Sequence, residues 1–294
     1  MKIPRIVLMG EAMLELSHPK GEGPKLAYGG DVLNTSIYLA RLGLLPHIVT
    51  ALGCDPYSDG LVKDWESEGL QTVHVLRDPD RLPGLYGIQT DNKGERSFYY
   101  WRSQSAARNF FNLEDCSKSI ALMEDANWLF ISGITLSIFT SEEQKKLGAI
   151  AEIVRARGGQ VVFDPNYRPA GWASREVARN VIEAFVEHAT LILATIDDEN
   201  LLYGRKPSQE HARRWHHMGI KTVVFKCGPG GAIIYEDEQD MQTVPAKVCD
   251  QPIDTTGAGD SFNAAFMAMK CFGYSNLVAA QAGNLLASYV IQHP

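Results

Sequence analysis

Short, continuous apolar runs alternate along the chain with stretches whose apolar residues recur every three or four positions. RIVLMG, HIVTALG, WLFISG, QVVFDPN, LILATI and TVVFKCG are of the first kind. Runs of this length without polar alternation suit strands buried on both faces, as in parallel sheets. NTSIYLARLG, EEQKKLGAIAEIVRARGG and REVARNVIEAFVEHA carry the helix period, and the first two end in glycine, which stops a helix. The alternation predicts βαβ units and a doubly wound α/β fold, a mostly parallel sheet flanked by helices. Two regions break the rhythm. Residues 84–101, GLYGIQTDNKGERSFYYW, read as two strands joined by the polar turn Asp91-Asn92-Lys93-Gly94. Residues 12–30, AMLELSHPKGEGPKLAYGG, are also strand-like and rich in Gly and Pro. Together they predict a small antiparallel sheet projecting from the main body as a lid, built from about 12–30 and 84–106. No repeat, low-complexity tract or linker divides the 294 residues, so a single domain is expected.

Composition narrows the class. Hydrophobic residues make up 45% of the chain, ample for a large core, yet no stretch approaches the ~20 consecutive apolar residues of a membrane helix. The apolar run in MKIPRIVLMGEAM meets Glu11 at once and reads as a strand, not a signal peptide. The five cysteines are scattered without a C-x-x-C pair, and no His cluster has zinc spacing. They are expected to be reduced thiols in a cytoplasmic protein. A net charge of −7 argues against a nucleic-acid surface. It also means that an anionic substrate needs a local cluster of Arg or Lys. An exposed lid sheet with apolar residues invites pairing with a second subunit, so a homo-oligomer is expected.

The chemistry concentrates in DTTGAGDSFNAAF, residues 254–266. Phe262, Ala265, Phe266 and Met269 fall on one helix face, so the glycines stand just before a buried helix. Two glycines separated by one alanine let successive N–H groups point one way, toward the positive end of the helix dipole. That is an anion site. A carboxylate within it, Asp260, makes sense if the anion is transferred to a neighbouring hydroxyl that must first lose its proton. The plainer reading makes Asp260 or Ser261 only a helix cap. The chain has no G-x-x-x-x-G-K-[ST] loop, H-R-D or D-F-G set, dinucleotide G-x-G-x-x-G or G-x-S-x-G elbow.

DTTGAGDSF resembles the C-terminal signature of the ribokinase-like (pfkB) carbohydrate kinases. GGDVLNTSIYLARLG, residues 29–43, resembles that family's N-terminal Gly-Gly-x-x-x-Asn motif, and ALGCDPYSDGL, residues 51–61, the Gly-x-Asp…Gly stretch that follows. The match runs in order over almost the whole chain. A narrower resemblance, to the kinases of 2-keto-3-deoxygluconate, rests on GEAMLEL, GGDVLNT, RLPGLYGIQTD, GERSFYYWR and FDPNYRP. The chain stops at IQHP, a little before the point where the family usually ends.

The resemblance implies a ribokinase-like fold and a mechanism. ATP lies across the carboxyl edge of the sheet with its γ-phosphate over Gly257, Ala258, Gly259 and Asp260. Backbone N–H groups there stabilise the transferred group, and Asp260 takes the proton of the attacking sugar hydroxyl. At a helix N-terminus the ionised form of Asp260 is favoured. Gly30, Asp31 and Asn34 fall between a lid strand and a helix expected to begin near Asn34. The motif assigns them to sugar hydroxyls, although Asn and Asp serve equally well as turn and cap residues; Gly29 reads as conformational.

Arg102 and Arg168 carry the case for an acidic sugar. Arg102 ends the second lid strand on the same face as Tyr100, two residues earlier, while Arg168 follows the strand QVVFD at the edge where such sheets bind ligands. Arginine forks match a carboxylate in two-pronged fashion. Tyr86, on the other lid strand, could cover the sugar or simply pack.

On the nucleotide side, KCGPGG, residues 226–231, resembles the family's Gly-rich loop and makes Lys226, Gly228 and Gly231 candidates; Asn166 matches a position close to the phosphates. ATP's phosphates call for magnesium, and a monovalent cation such as potassium is compatible with the family. Where the family often has Asn-x-x-Glu for organising magnesium, ATIDDEN places Thr195 and Asp198, with Glu199 adjacent. Either carboxylate is a candidate, acting through water. A kinase for a neutral sugar such as fructose or ribose shares the same catalytic features, and a non-catalytic sugar sensor could share the fold. The two arginines argue against the first, and Asp260 against the second.

Overall fold

The computed structural model describes residues 4–18, 23–90, 96–236, 240–247, 249 and 252–293. The chain opens with β1 (Ile6–Met9), then β2 (Met13–Ser17) and β3 (Lys25–Gly29), followed by α1 (Asp31–Arg41), β4 (Pro46–Gly53), α2 (Pro56–Ser67) and β5 (Val75–Asp78). Next come β6 (Gly84–Thr90), β7 (Arg96–Trp101), a tight helical turn over Ala106–Asn112, α3 (Cys116–Glu124), β8 (Trp128–Ser132), α4 (Gly133–Ile138), α5 (Ser141–Ala156) and β9 (Gln160–Asp164). The remainder is α6 (Arg175–Val186), β10 (Leu191–Thr195), α7 (Ile196–Tyr203), α8 (Ser208–His217), β11 (Thr222–Lys226), β12 (Ala232–Tyr235), β13 (Met241–Val244), α9 (Ala258–Cys271) and α10 (Asn276–Val290).

Among the described residues the larger sheet has nine strands in the order β13-β12-β11-β10-β9-β8-β1-β4-β5. The six continuous apolar runs are β1, β4, β8, β9, β10 and β11, and all pair in parallel. Their burial on both faces explains the unbroken apolar pattern. In β1, Val7 and Met9 join the core on one side, with Phe163 and Trp215, while Ile6 and Leu8 join the core on the other, with Phe130 and Phe266. Each such side chain contributes ~1.5–3 kcal/mol by leaving water. The strand order reverses at β1, and ligands of such sheets bind beyond the carboxyl ends of the strands at that point. No helix among the described residues is long and apolar enough to cross a membrane.

A smaller sheet, β3-β2-β6-β7, stands beside this edge. It is mixed, not antiparallel throughout, because β2 pairs with β6 in parallel. Each continues the chain from a strand of the larger sheet, β1 and β5, and those two run in the same direction. The turn expected at Asp91–Gly94 lies outside the described residues. Two helix starts also differ from expectation. α1 begins at Asp31, not near Asn34, after Gly30 takes the extended positive-φ conformation (φ 142°, ψ 139°) that a side chain would resist. Asn34 therefore lies inside the helix, with its side chain free of capping. α9 begins at Ala258 behind Gly257, so Asp260 and Ser261 lie within its first turn and cap nothing.

Candidate active site

At the start of α9 the chain turns through Gly257 in the left-handed region (φ 73°), and no side chain caps the helix. The N–H groups of Gly259 and Asp260 find no acceptor among the described residues. Unsatisfied donors at the positive end of a helix suit an anion, and a phosphate fits here. Lys226 borders the turn: a Cβ built on Gly259 would lie 3.6 Å from its Nζ. The ammonium is buried and donates to Asp164 Oδ2 at 2.7 Å and to Asn263 Oδ1 at 3.0 Å, while Asn263 Nδ2 donates to the same Asp164 oxygen at 2.7 Å. This closed ring ties the ends of β9 and β11 to α9 directly below the turn.

The carboxylate of Asp260 accepts a hydrogen bond from Asn34 Nδ2 at 2.8 Å. Burial and the neighbouring carboxylate of Asp31 push its pKa up to about 7, against the opposing pull of Asn34 and Lys226. The helix terminus therefore does not keep it firmly ionised, as the sequence suggests. Desolvation and like charge outweigh the dipole, and the group is poised near neutral pH.

Beside Asp260 lies a cavity of about 510 Å³. Gly30, Asp31 and Asn34 reach it from the start of α1, Tyr86, Tyr100 and Arg102 from the smaller sheet, and Arg168 from the loop after β9. Asp31 is buried, accepts from Val32 N at 2.9 Å and from Asn166 Nδ2 at 2.9 Å, and has its pKa raised by burial. The Tyr86 hydroxyl donates to Glu15, and its ring lies 6.1 Å from that of Tyr100.

The two arginines are not free in this site. Arg102 contacts Glu11, whose side chain is fully buried, and Arg168 Nη1 donates to Asp198 Oδ1 at 2.8 Å. A third arginine, Arg108, also lines the cavity. Sequence reasoning missed both Arg108 and Glu11. The available signal was the crowding of arginines directly after the lid strand in an acidic chain.

The nucleotide-side candidates divide. Gly228 sits in open space at the turn between β11 and β12, whereas Gly231 is packed so closely that a Cβ would strike Val244 O at 2.1 Å. Packing alone accounts for Gly231. Asn166 holds φ 34°, the one positive value among described non-glycine residues, and its amide is spent on Asp31. Strain of this kind concentrates at functional sites.

Asp198 Oδ2 is buried without a hydrogen-bond partner, and burial raises the pKa of the group. Glu199 points elsewhere and corrects the pairing suggested by its neighbour: it accepts from Arg214 and from Trp215 Nε1 at 3.1 Å, inside the packing of α7 on α8. No cluster of three or more metal-ligating side chains occurs among the described residues. Magnesium binds through one or two carboxylates plus substrate phosphates. The unpartnered oxygen of Asp198 suits such a role.

A mostly parallel sheet with a phosphate-ready helix start, a carboxylate poised near neutrality and a polar cavity beside it defines a phosphoryl-transfer enzyme for a hydroxylated substrate. The chain belongs to the pfkB family of carbohydrate kinases, whose profile, pfkB family carbohydrate kinase, matches residues 4–294; it is an ATP-dependent carbohydrate kinase. It is similar to the 2-dehydro-3-deoxygluconokinase of Escherichia coli (strain K12), 40% identical over 295 residues that cover 98% of this chain and 95% of the relative. Its fold resembles the crystal structure of a PfkB protein from Polaromonas sp. JS666 with a TM-score of 0.86, at 25% identity, over 98% of this chain and 96% of the other. A putative ribokinase II of E. coli, solved with ATP and magnesium, shares the fold at a TM-score of 0.84 and 20% identity, over 99% and 94% of the two chains.

Proposed function

We propose that this kinase transfers the γ-phosphoryl group of ATP to the terminal hydroxyl of 2-keto-3-deoxygluconate, giving 2-keto-3-deoxy-6-phosphogluconate. One observation carries the choice of substrate. Three arginines, Arg102, Arg108 and Arg168, converge on the cavity in a chain of net charge −7, and among the described residues Arg108 has no carboxylate within ion-pair distance. A neutral sugar has no use for that charge; a sugar acid does. The similarity to 2-dehydro-3-deoxygluconokinases agrees.

In this reading the sugar's hydroxyls lie against Gly30, Asp31 and Asn34, covered by Tyr86 and Tyr100, with the carboxylate end toward the arginines. Asp260 accepts the proton of the terminal hydroxyl as that oxygen attacks the γ-phosphorus. The free N–H groups of Gly259 and Asp260, with Lys226, face the charge that builds on the transferred group. Gly228 admits the nucleotide; Asn166 holds Asp31 and the β9 loop in place. Magnesium, held by the ATP phosphates and by Asp198 through water, neutralises phosphate charge.

The smaller sheet acts as a lid that excludes water during transfer. Its exposed aromatics, among them Tyr99 and Trp101, would pair with a second subunit in a cytoplasmic homo-oligomer. The direct test is the product. With ATP, magnesium and 2-keto-3-deoxygluconate, phosphorus NMR should show a phosphate coupled to the terminal methylene protons. A phosphate elsewhere, or none, would overturn the assignment.

A further inference from the structure

Asn263 is a polar residue where α9 otherwise buries carbon. It is 1% exposed and stands between Phe262 and Ala264, in a helix whose buried residues run on through Ala265, Phe266, Met267 and Ala268. Burying an amide costs free energy unless its polar atoms are hydrogen-bonded. Both ends of this one are. Its Oδ1 accepts from Lys226 Nζ at 3.0 Å, and its Nδ2 donates to Asp164 Oδ2 at 2.7 Å. The chemistry fixes that orientation, since an ammonium only donates and an ionised carboxylate only accepts. Asp164 Oδ2 also accepts from Lys226 Nζ at 2.7 Å, and its Oδ1 accepts from Asn166 N at 3.1 Å.

Stability does not account for the arrangement. A buried ion pair is often no more stabilising than apolar side chains of similar volume, and the helix around Asn263 is apolar. Position does account for it. An ammonium has three N–H donors. Asp164 and Asn263 take two from Lys226, and among the described residues the third has no acceptor. The ammonium lies beside Gly259, whose own N–H is also free, and its charge reaches both Asp260 and Asp198. Lysine carries this charge on a flexible four-carbon stem. Asp164 alone would leave it free to swing about one acceptor. A second acceptor on α9 fixes its place and leaves one donor to spend.

We propose that Asn263 is a positioning residue for phosphoryl transfer: with Asp164 it holds the Lys226 ammonium so that the remaining N–H meets the γ-phosphoryl group of ATP at the start of α9. This rests on the reading that places Lys226 at the transferred group. The test is a double-mutant cycle of Lys226→Gln and Asn263→Leu, read by isothermal titration without sugar. The quantity is the affinity for the magnesium complex of the non-hydrolysable β,γ-imido analogue of ATP, divided by that for magnesium ADP, which lacks the γ-phosphoryl group. Lys226→Gln should lower this ratio ~10–100-fold, the loss of one hydrogen bond between charged groups. Asn263→Leu keeps the lysine but loosens it, so the ratio should fall several-fold while ADP binding changes little. In the Lys226→Gln background, Asn263→Leu should lower it no further, because the residue acts through the lysine. A residue that only packs α9 on the sheet would weaken both nucleotides alike, or add its full effect to that of Lys226→Gln; either result overturns the proposal. So does a ratio that falls in Lys226→Gln and stays at the wild-type value in Asn263→Leu. A ratio unchanged in Lys226→Gln itself overturns the placing of Lys226 at the transferred group, and the proposal with it. If Asn263→Leu fails to fold, Asn263→Ala, which suits a helix interior, is read by the same ratio and decides in the same way.

Discussion

Asn34 Nδ2 donates to Asp260 Oδ2 at 2.8 Å, joining residues 226 positions apart in the chain. The bond favours the ionised carboxylate, against burial and Asp31, which favour the protonated one. Asp260 can accept a proton only when ionised. For the wild type, kcat/KM should therefore rise with pH through about 7 and level off above it. In Asn34→Ala the opposing pull is gone, so the acidic limb of the profile should move to higher pH. A limb that stays in place would mean that Asn34 does not tune the base.

Asp260→Asn should separate chemistry from stability. Turnover should fall ~10²–10⁴-fold, because the amide cannot take the proton. Stability should move the other way. The folded-state pKa of about 7 lies above the ordinary carboxylate range, so the wild type loses stability as pH rises from about 4 through 7. The neutral amide escapes that loss and can still accept from Asn34. Melting curves at pH 8 should show Asp260→Asn more stable than wild type, with the difference vanishing near pH 4. A variant less stable at pH 8 would contradict the electrostatic account.

Glu199 serves the fold. Glu199→Ala leaves Arg214 and Trp215 Nε1 without their acceptor. Breaking a fully buried pair costs ~3–5 kcal/mol, but the Arg214 side chain keeps 22% of its surface in solvent, so we expect about 2–3 kcal/mol from denaturant unfolding. The magnesium dependence of the folded variant should match wild type. A raised magnesium requirement would restore Glu199 to the metal site.

Asp198 gives the contrasting case. Asp198→Asn keeps the shape but removes the charge beside the unpartnered oxygen. The magnesium concentration for half-maximal rate should rise several-fold with little change in melting temperature. An unchanged requirement would leave Asp198 only as the partner of Arg168.

The parallel strands were legible because burial on both faces leaves a continuous apolar run. Strands β5, β12 and β13 were not: VLRD, AIIY and MQTV are four-residue segments at or near the sheet's edges, too short to carry a period. The anion turn was legible from its glycine spacing. The charge pairs were not, because Glu11 and Asp198 come from segments far from Arg102 and Arg168, and only the fold brings them together. The choice between Asp198 and Glu199 was partly readable. Glu199 is three positions from Leu202, on the same helix face, and both are buried, whereas Asp198 points about 100° away.

The central claim is that this chain phosphorylates a sugar acid and not a neutral sugar. The most direct measurement is magnesium-dependent ATP consumption by the wild type across 2-keto-3-deoxygluconate, fructose and ribose under identical conditions. The account predicts kcat/KM for the acid at least ~10-fold above that for either neutral sugar, the least that one charged hydrogen bond should contribute. Equal or greater efficiency on fructose or ribose would contradict it, and the arginines of the cavity would then serve the fold alone.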